Sequence, residues 1–229
     1  VHFMAETAKL LNPEKTVLIP DATAGCSLAE GITADNVREL KKRYPGVPVV
    51  TYVNSTAEVK AESDVCCTSG NARRIVESLG VPRVIMIPDE FLARNIEAET
   101  GIEMLTWPAH CEVHERFTPQ EIRQYRRLHP GLSVIAHPEC PPEVLEAADH
   151  AGSTAQMIDF IEQRKPQNVL LVTECSMSDK LAALYPQTQF VRPCNLCPHM
   201  KRITLSNIRQ ALETMQTEVT IPEHLQRPA

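Results

Sequence analysis

Short apolar runs punctuate the chain, separated by longer stretches in which apolar residues recur at helical spacing. The runs fall at 49–53 (VVTYV), 84–87 (VIMI), 104–107 (MLTW), 133–136 (SVIA), 169–172 (VLLV) and 189–191 (QFV). Runs of four or five apolar residues fit buried strands, and the amphipathic stretches between them fit covering helices. Strands alternating with helices predict parallel sheets packed between helical layers.

The pattern repeats. CSLAEGITADNVRELKKRYPG from Cys26 lies without a gap on CEVHERFTPQEIRQYRRLHPG from Cys111, at an offset of 85. At that offset Thr33 meets Thr118, Val37 meets Ile122, and Pro45-Gly46 meets Pro130-Gly131. The offset persists through VVTYVNSTAEVKAESDVCCTSGNARRIVES over VIAHPECPPEVLEAADHAGSTAQMIDFIEQ. A third counterpart of Cys111 is Cys197, at an offset of 86, where Thr118 meets Thr204 and Ile122 meets Ile208. The opening MAETAKLLNPEKTVLIPD overlies ARRIVESLGVPRVIMIPD at an offset of 68, so the first copy is already within a helix at its start. Such self-similarity predicts three related α/β/α sandwich domains, the first truncated, arranged about a pseudo-threefold axis. The expected divisions are a remnant at 1–43, a second domain at 44–128, and a third at 129–229 with a C-terminal helix and tail.

The repeat sorts the eight cysteines. Cys26, Cys111 and Cys197 occupy equivalent places, and three equivalent loops about an axis would bring their thiolates together. Three thiolates suit a [4Fe–4S] cluster with one open iron, or a zinc with a further ligand from water or substrate. Cys194 forms a CxxC with Cys197 but has no counterpart, since Thr23 and Pro108 stand at that place in the other copies. A zinc or redox module built on Cys194 and Cys197 is the alternative reading. Cys66 and Cys67 read as core residues ahead of a helix, and Cys140 and Cys175 as bystanders or thiols near the site.

Composition narrows the classes. A net charge of −6 and 4% aromatic residues argue against a nucleic-acid surface. No apolar stretch reaches the roughly 18 residues of a membrane span, and no signal-peptide pattern opens the sequence. Eight cysteines without such a signal imply a reducing, cytoplasmic setting and metal or catalytic roles.

The motifs HFMAETAKLL, VLIPDATAGCSLA, YVNSTAEVKAESDVCCTSGNA, HCEVHERFT, AHPEC, AGSTAQMI and CPHMKRITL together resemble the quinolinate synthase family. The resemblance implies three α/β/α domains and a [4Fe–4S] cluster held by one cysteine from each, here Cys26, Cys111 and Cys197. It implies condensation of iminoaspartate (iminosuccinate) with dihydroxyacetone phosphate to quinolinate in NAD biosynthesis, with loss of phosphate and water. It also implies functional contact with an L-aspartate oxidase or dehydrogenase. The family's first domain opens with a strand bearing a His and a Tyr and has a nearby Ser; their counterparts lie outside these residues. A different [4Fe–4S] hydro-lyase is the competing enzyme class.

Site residues follow from the repeat and the resemblance together. Tyr52-Val53-Asn54 overlies His137-Pro138-Glu139, both after apolar strands, where parallel sheets place ligands. Glu139 is the candidate general base, His137 and Tyr52 are proton carriers or orienting donors, and Asn54 is a substrate contact. Thr68-Ser69 and Ser153-Thr154 form a second equivalent pair at helix starts, suited to capping or to binding anions. The resemblance favours Ser69 and Thr154 as contacts to phosphate or carboxylate. His114 and Met200, each three residues after a cysteine, are candidate neighbours of the cluster.

Overall fold

The computed structural model describes residues 1–193 and 195–226. Helix α1 (His2–Leu11), the short α2 (Ser27–Glu30) and α3 (Ala34–Arg43) precede the first sheet. That sheet holds β1 (Val49–Tyr52), β2 (Val65–Cys67), β3 (Arg83–Ile87) and β4 (Glu103–Thr106), joined by α4 (Ala57–Ala61), α5 (Ala72–Ser78) and α6 (Glu90–Thr100). Helix α7 (Pro119–Leu128) leads to β5 (Leu132–Ala136), β6 (His150–Ala151), β7 (Asn168–Val172) and β8 (Gln189–Val191). Their connecting helices are α8 (Pro142–Ala147), α9 (Thr154–Arg164) and α10 (Ser176–Leu184), and α11 (Leu205–Thr214) and α12 (Glu223–Gln226) follow. The strand orders are β2-β1-β3-β4 and β6-β5-β7-β8, parallel throughout.

Each central strand is buried on both faces, as helical cover on both sides requires. Period-two alternation divides the side chains: Val50, Val84 and Met86 enter one core cluster, Val49, Ile85 and Ile87 another. In the second sheet Val134, Leu170 and Val172 face one way, and Ile135, Val169 and Leu171 the other.

The repeat persists at the level of single hydrogen bonds. Thr33, Thr118 and Thr204 are the N-caps of α3, α7 and α11, each in a reciprocal capping box with the residue three positions on. Asp64 Oδ2 accepts from Val49 N at 2.7 Å, and Asp149 Oδ2 from Val134 N at 2.8 Å. Gly46 and Gly131 have φ of 78° and 74°, a region that opposes a side chain, so each turn into a sheet is glycine-dependent.

Helix α3 buries Val37 beside Val49 and Ile85, and α7 buries Ile122 beside Leu132 and Val134. Each of these helices therefore packs on the sheet that follows it, although it precedes the expected divisions after 43 and 128. In α11 the counterpart Ile208 is 37% exposed, with Leu205, Leu212 and Met215 also open. The first copy's apolar run forms a short antiparallel contact, with Ile19 N donating to Thr217 O at 3.0 Å and Val219 N to Val17 O at 2.8 Å.

Two strands escaped the apolar pattern. β2 and β6 are three and two residues long, too short for periodicity to register. Cys66 is a correction: it lies on edge strand β2 and is exposed, whereas its neighbour Cys67 points inward and is buried. Alternation along a strand separates adjacent side chains in this way.

Leu171→Ala is expected to cost about 2–5 kcal/mol of unfolding free energy, and Thr118→Ala about 1 kcal/mol. Urea unfolding curves check this, and a loss at position 118 as large as that at 171 would contradict the packing described.

Candidate active site

The segments that end β1 and follow β5 meet around one carboxylate. Glu139 is 3% exposed. Its Oε1 accepts hydrogen bonds from Tyr52 Oη at 2.6 Å and Asn54 Nδ2 at 3.2 Å. Its Oε2 lies 2.9 Å from Nδ1 of His114, off the line that a hydrogen bond needs. Nε2 of His114 is 2.9 Å from the Thr173 hydroxyl, which fixes the ring, and the ring stacks on His137 at 4.8 Å between centroids.

His137 is buried, and its Nδ1 accepts from Glu139 N at 3.3 Å. Its Nε2 lies 3.4 Å from Ser69 Oγ. The neutral ring therefore carries its proton on Nε2, toward Ser69. From α6, buried Asn95 donates Nδ2 hydrogen bonds to Pro138 O at 2.8 Å and Cys140 O at 3.0 Å, the carbonyls flanking Glu139. The loop is thus held from the opposite sheet's helix.

Burial and charge set the protonation states. Burial opposes ionisation of Glu139, but the His114 and His137 imidazoles and the Tyr52 hydrogen bond hold its carboxyl well below the usual range. Burial, then the Glu139 charge, pushes the Tyr52 phenol well up, so Tyr52 is a donor at neutral pH. Burial lowers His137 from 6.5 to about 4, leaving it neutral.

Asp89 caps α6, its Oδ1 accepting from Phe91 N and Leu92 N at 3.0 and 3.1 Å, while its buried Oδ2 has no hydrogen-bond partner. Burial and then the charge of Glu139 raise this carboxyl well above its ordinary range.

The three repeat cysteines share one local geometry. Each opens a helical turn, in which Glu30 N, Glu115 N and Lys201 N donate to the carbonyls of Cys26, Cys111 and Cys197. The N–H three residues on points at the sulfur in every case: Ala29 to Cys26, His114 to Cys111, and Met200 to Cys197, the last at 3.5 Å. Cys26 and Cys111 border the core of the first sheet, and Cys111 and Cys197 that of the second. Burial pushes the Cys26 thiol up to about 11, with the Glu139 and Cys197 charges adding to it. Cys111 Sγ, a His114 ring nitrogen and a Glu139 oxygen all lie within 4.8 Å of one another, a cysteine–histidine–carboxylate group able to hold a metal.

A family model described as quinolinate synthetase A protein matches residues 1–229. The chain belongs to this family. It is 69% identical over 221 residues to "Quinolinate synthase 2" of Mesorhizobium japonicum, covering 96% of this chain and 68% of that protein. It is 66% identical over 221 residues to the quinolinate synthase of Agrobacterium fabrum (96% and 64%), and 62% identical over 229 residues to that of Xylella fastidiosa (100% and 68%). The chain thus spans about two thirds of these quinolinate synthases.

Of the expected site residues, Tyr52, Asn54, Ser69, His137 and Glu139 form one contact group within this family member. Thr154 stands apart, exposed on the first turn of α9. The buried hydroxyl at that helix start is Ser153, which caps α9 and lies across from Gly70, where a Cβ would come within 3.1 Å of it. Cys140 and Cys175 are buried, and Met200, whose N–H meets Cys197 Sγ, is 46% exposed. Cys194 lies outside the described residues. Asn95, Asp89 and Thr173 were not anticipated. Asp89 did have a signal, because Asp21, Asp89 and Glu174 share one place in the three copies.

An unfolded histidine binds its proton through pH 6.5, whereas folded His137 does so only near 4. Its contribution to stability is full above that window and is lost as pH falls through it. His137→Gln is expected to flatten the urea-midpoint profile between pH 7 and 4 by up to about 1.4 kcal/mol per pH unit. An unchanged slope would show that His137 is not the group responsible.

Proposed function

We propose that the chain acts as a quinolinate synthase, condensing iminoaspartate with dihydroxyacetone phosphate and releasing phosphate and water in NAD biosynthesis. In this reading Cys26, Cys111 and Cys197 hold a [4Fe–4S] cluster with one open iron. The observation that carries it is the repeated cysteine turn, with an N–H aimed at each sulfur, beside the buried Tyr52–Glu139–His114 group.

The donor set fits the cluster. N–H groups directed at sulfur favour thiolate over thiol, and thiolates are the ligands of iron–sulfur clusters. Cys111 also stands beside His114 and Glu139, which keeps a histidine and a carboxylate within reach of the same centre. When bound, the cluster's open iron supplies a Lewis acid for substrate oxygen or nitrogen.

The chain's own residues supply the rest. Glu139, kept ionised, receives hydrogen bonds and is the proton acceptor of the group. Tyr52, kept protonated, donates toward developing negative charge, and Asn54 adds an amide donor beside it. Neutral His137 offers its Nε2 proton on the side of Ser69, where it can exchange with a substrate hydroxyl. Ser69 and Ser153, with the free N–H groups at the start of α9, form the polar wall suited to carboxylate or phosphate. Thr154 remains a candidate contact only if a ligand reaches the outer side of that turn. An imine-producing L-aspartate oxidase or dehydrogenase is the expected upstream partner, and the setting is cytoplasmic.

Anaerobic reconstitution with iron and sulfide is expected to give a brown protein. Alanine at Cys26, Cys111 or Cys197 abolishes the colour, while Cys194→Ala keeps it. Glu139→Gln is expected to retain the cluster and lower quinolinate formation by about 10²–10⁴-fold. A colourless protein that binds zinc alone sinks the reading, and turnover of a hydroxy acid without the phosphorylated triose favours a hydro-lyase instead.

A further inference from the structure

Outside the sulfur atoms, the three cysteine loops are tied to one another in a ring. Ser27, the residue after Cys26, brackets Cys111: its Oγ donates to His110 O at 3.1 Å and accepts from Glu112 N at 3.2 Å. Glu112, the residue after Cys111, places Oε1 2.9 Å from Nε2 of His199, two residues beyond Cys197, a close polar contact off the line that a hydrogen bond needs. From the third loop, Arg202 Nη1 donates to Thr23 Oγ1 at 2.7 Å, returning to the loop that carries Cys26. Thr23 is itself held by Asp21 Oδ1, through its N–H at 2.8 Å and its hydroxyl at 2.6 Å.

The first two links come from equivalent positions in the repeat. In both, the residue following a cysteine reaches forward to the next copy's loop. The corresponding residue after Cys197 is Pro198, which has no polar side chain, and Arg202 makes the third link instead. The loops also meet over Gly25: a Cβ there would overlap the Glu30 carboxylate and come within 3.3 Å of His199 Nδ1. Glu30 in turn accepts from Cys26 N at 3.2 Å.

We propose that Ser27, the Glu112–His199 pair and the Arg202–Thr23 contact are positioning residues that fix the separation of the three cysteine loops before any cluster is bound. The inference rests on the cluster reading above. None of these side chains supplies a sulfur, yet together they set where the sulfurs stand. A cluster entering such a site meets a frame already closed, and leaving it requires a link to open. The circuit therefore governs retention of iron, not the proton chemistry around Glu139. Outer partners of metal ligands have effects of this kind, commonly about 10–100-fold in affinity when removed.

The test uses the reconstituted chain of 229 residues under anaerobic conditions. Iron release to a ferrous chelator is followed by stopped flow and compared among the unmodified chain, Ser27→Ala, Ser27→Thr and Thr23→Val. Ser27→Ala and Thr23→Val are expected to release iron about 10–100-fold faster, at unchanged initial iron content, and Ser27→Thr, which keeps the hydroxyl, to recover most of the retention. Equal release rates in all four overturn the proposal. Hydrogen exchange on the cluster-free chain reads the circuit without iron. Slow exchange at Glu30 N, Glu112 N, Glu115 N and Lys201 N is expected in the unmodified chain, and faster exchange across a neighbouring loop in each broken link. Fast exchange in all three loops of the unmodified chain shows no preformed frame and also overturns it. Failure of the unmodified chain to take up iron at all refutes the cluster reading, while the exchange result still decides the circuit.

Discussion

A buried carboxylate must be compensated, and Glu139 meets residues of three segments at once. An uncompensated buried charge would cost several kcal/mol, so the donors around Glu139 constrain the fold as much as the chemistry. Tyr52 and Asn54 donate to it from the end of the first sheet, His114 stands beside it from the turn after Cys111, and the neutral His137 ring packs near it from the second sheet. Asn95 reaches across from α6 to fix the loop itself. The two sheets cannot shift relative to one another without stranding that charge. The cysteine turn at Cys111 is locked to the same group through His114.

Much of this architecture was legible because it is repeated. Three threonines in register turned out to be three helix caps, and three cysteines in register turned out to open three identical turns. Strand positions followed from apolar runs long enough to be seen. What stayed hidden has a common physical cause: it depends on contacts between segments distant in sequence. Asn95 looks like any polar residue on a helix until the His137–Cys140 loop is placed against it. His114 was placed near Cys111 by its spacing, but its approach to Glu139 depends on a loop distant in sequence and was not. Thr154 came from the family resemblance, whereas its neighbour Ser153 is the hydroxyl that caps the helix and lies across from Gly70.

Divergence within the repeat is as informative as its persistence. Asp21, Asp89 and Glu174 each accept an N–H from two residues ahead, so the turn is the same in all three copies. Their surroundings differ. Asp21 lies near Arg202, and Glu174 lies 3.9 Å from Lys201. Asp89 is buried near Glu139, and its second oxygen is unpartnered. One inherited turn thus serves as a tie near Arg202 in one copy and as a buried neighbour of the Glu139 charge in another.

That burial has a consequence for the charge beside Glu139. An ionised Asp89 would place a second negative charge next to it, and an incoming dicarboxylate or phosphate would meet both. Burial and the Glu139 charge both displace Asp89 toward its neutral form, so this second charge is the one the fold opposes.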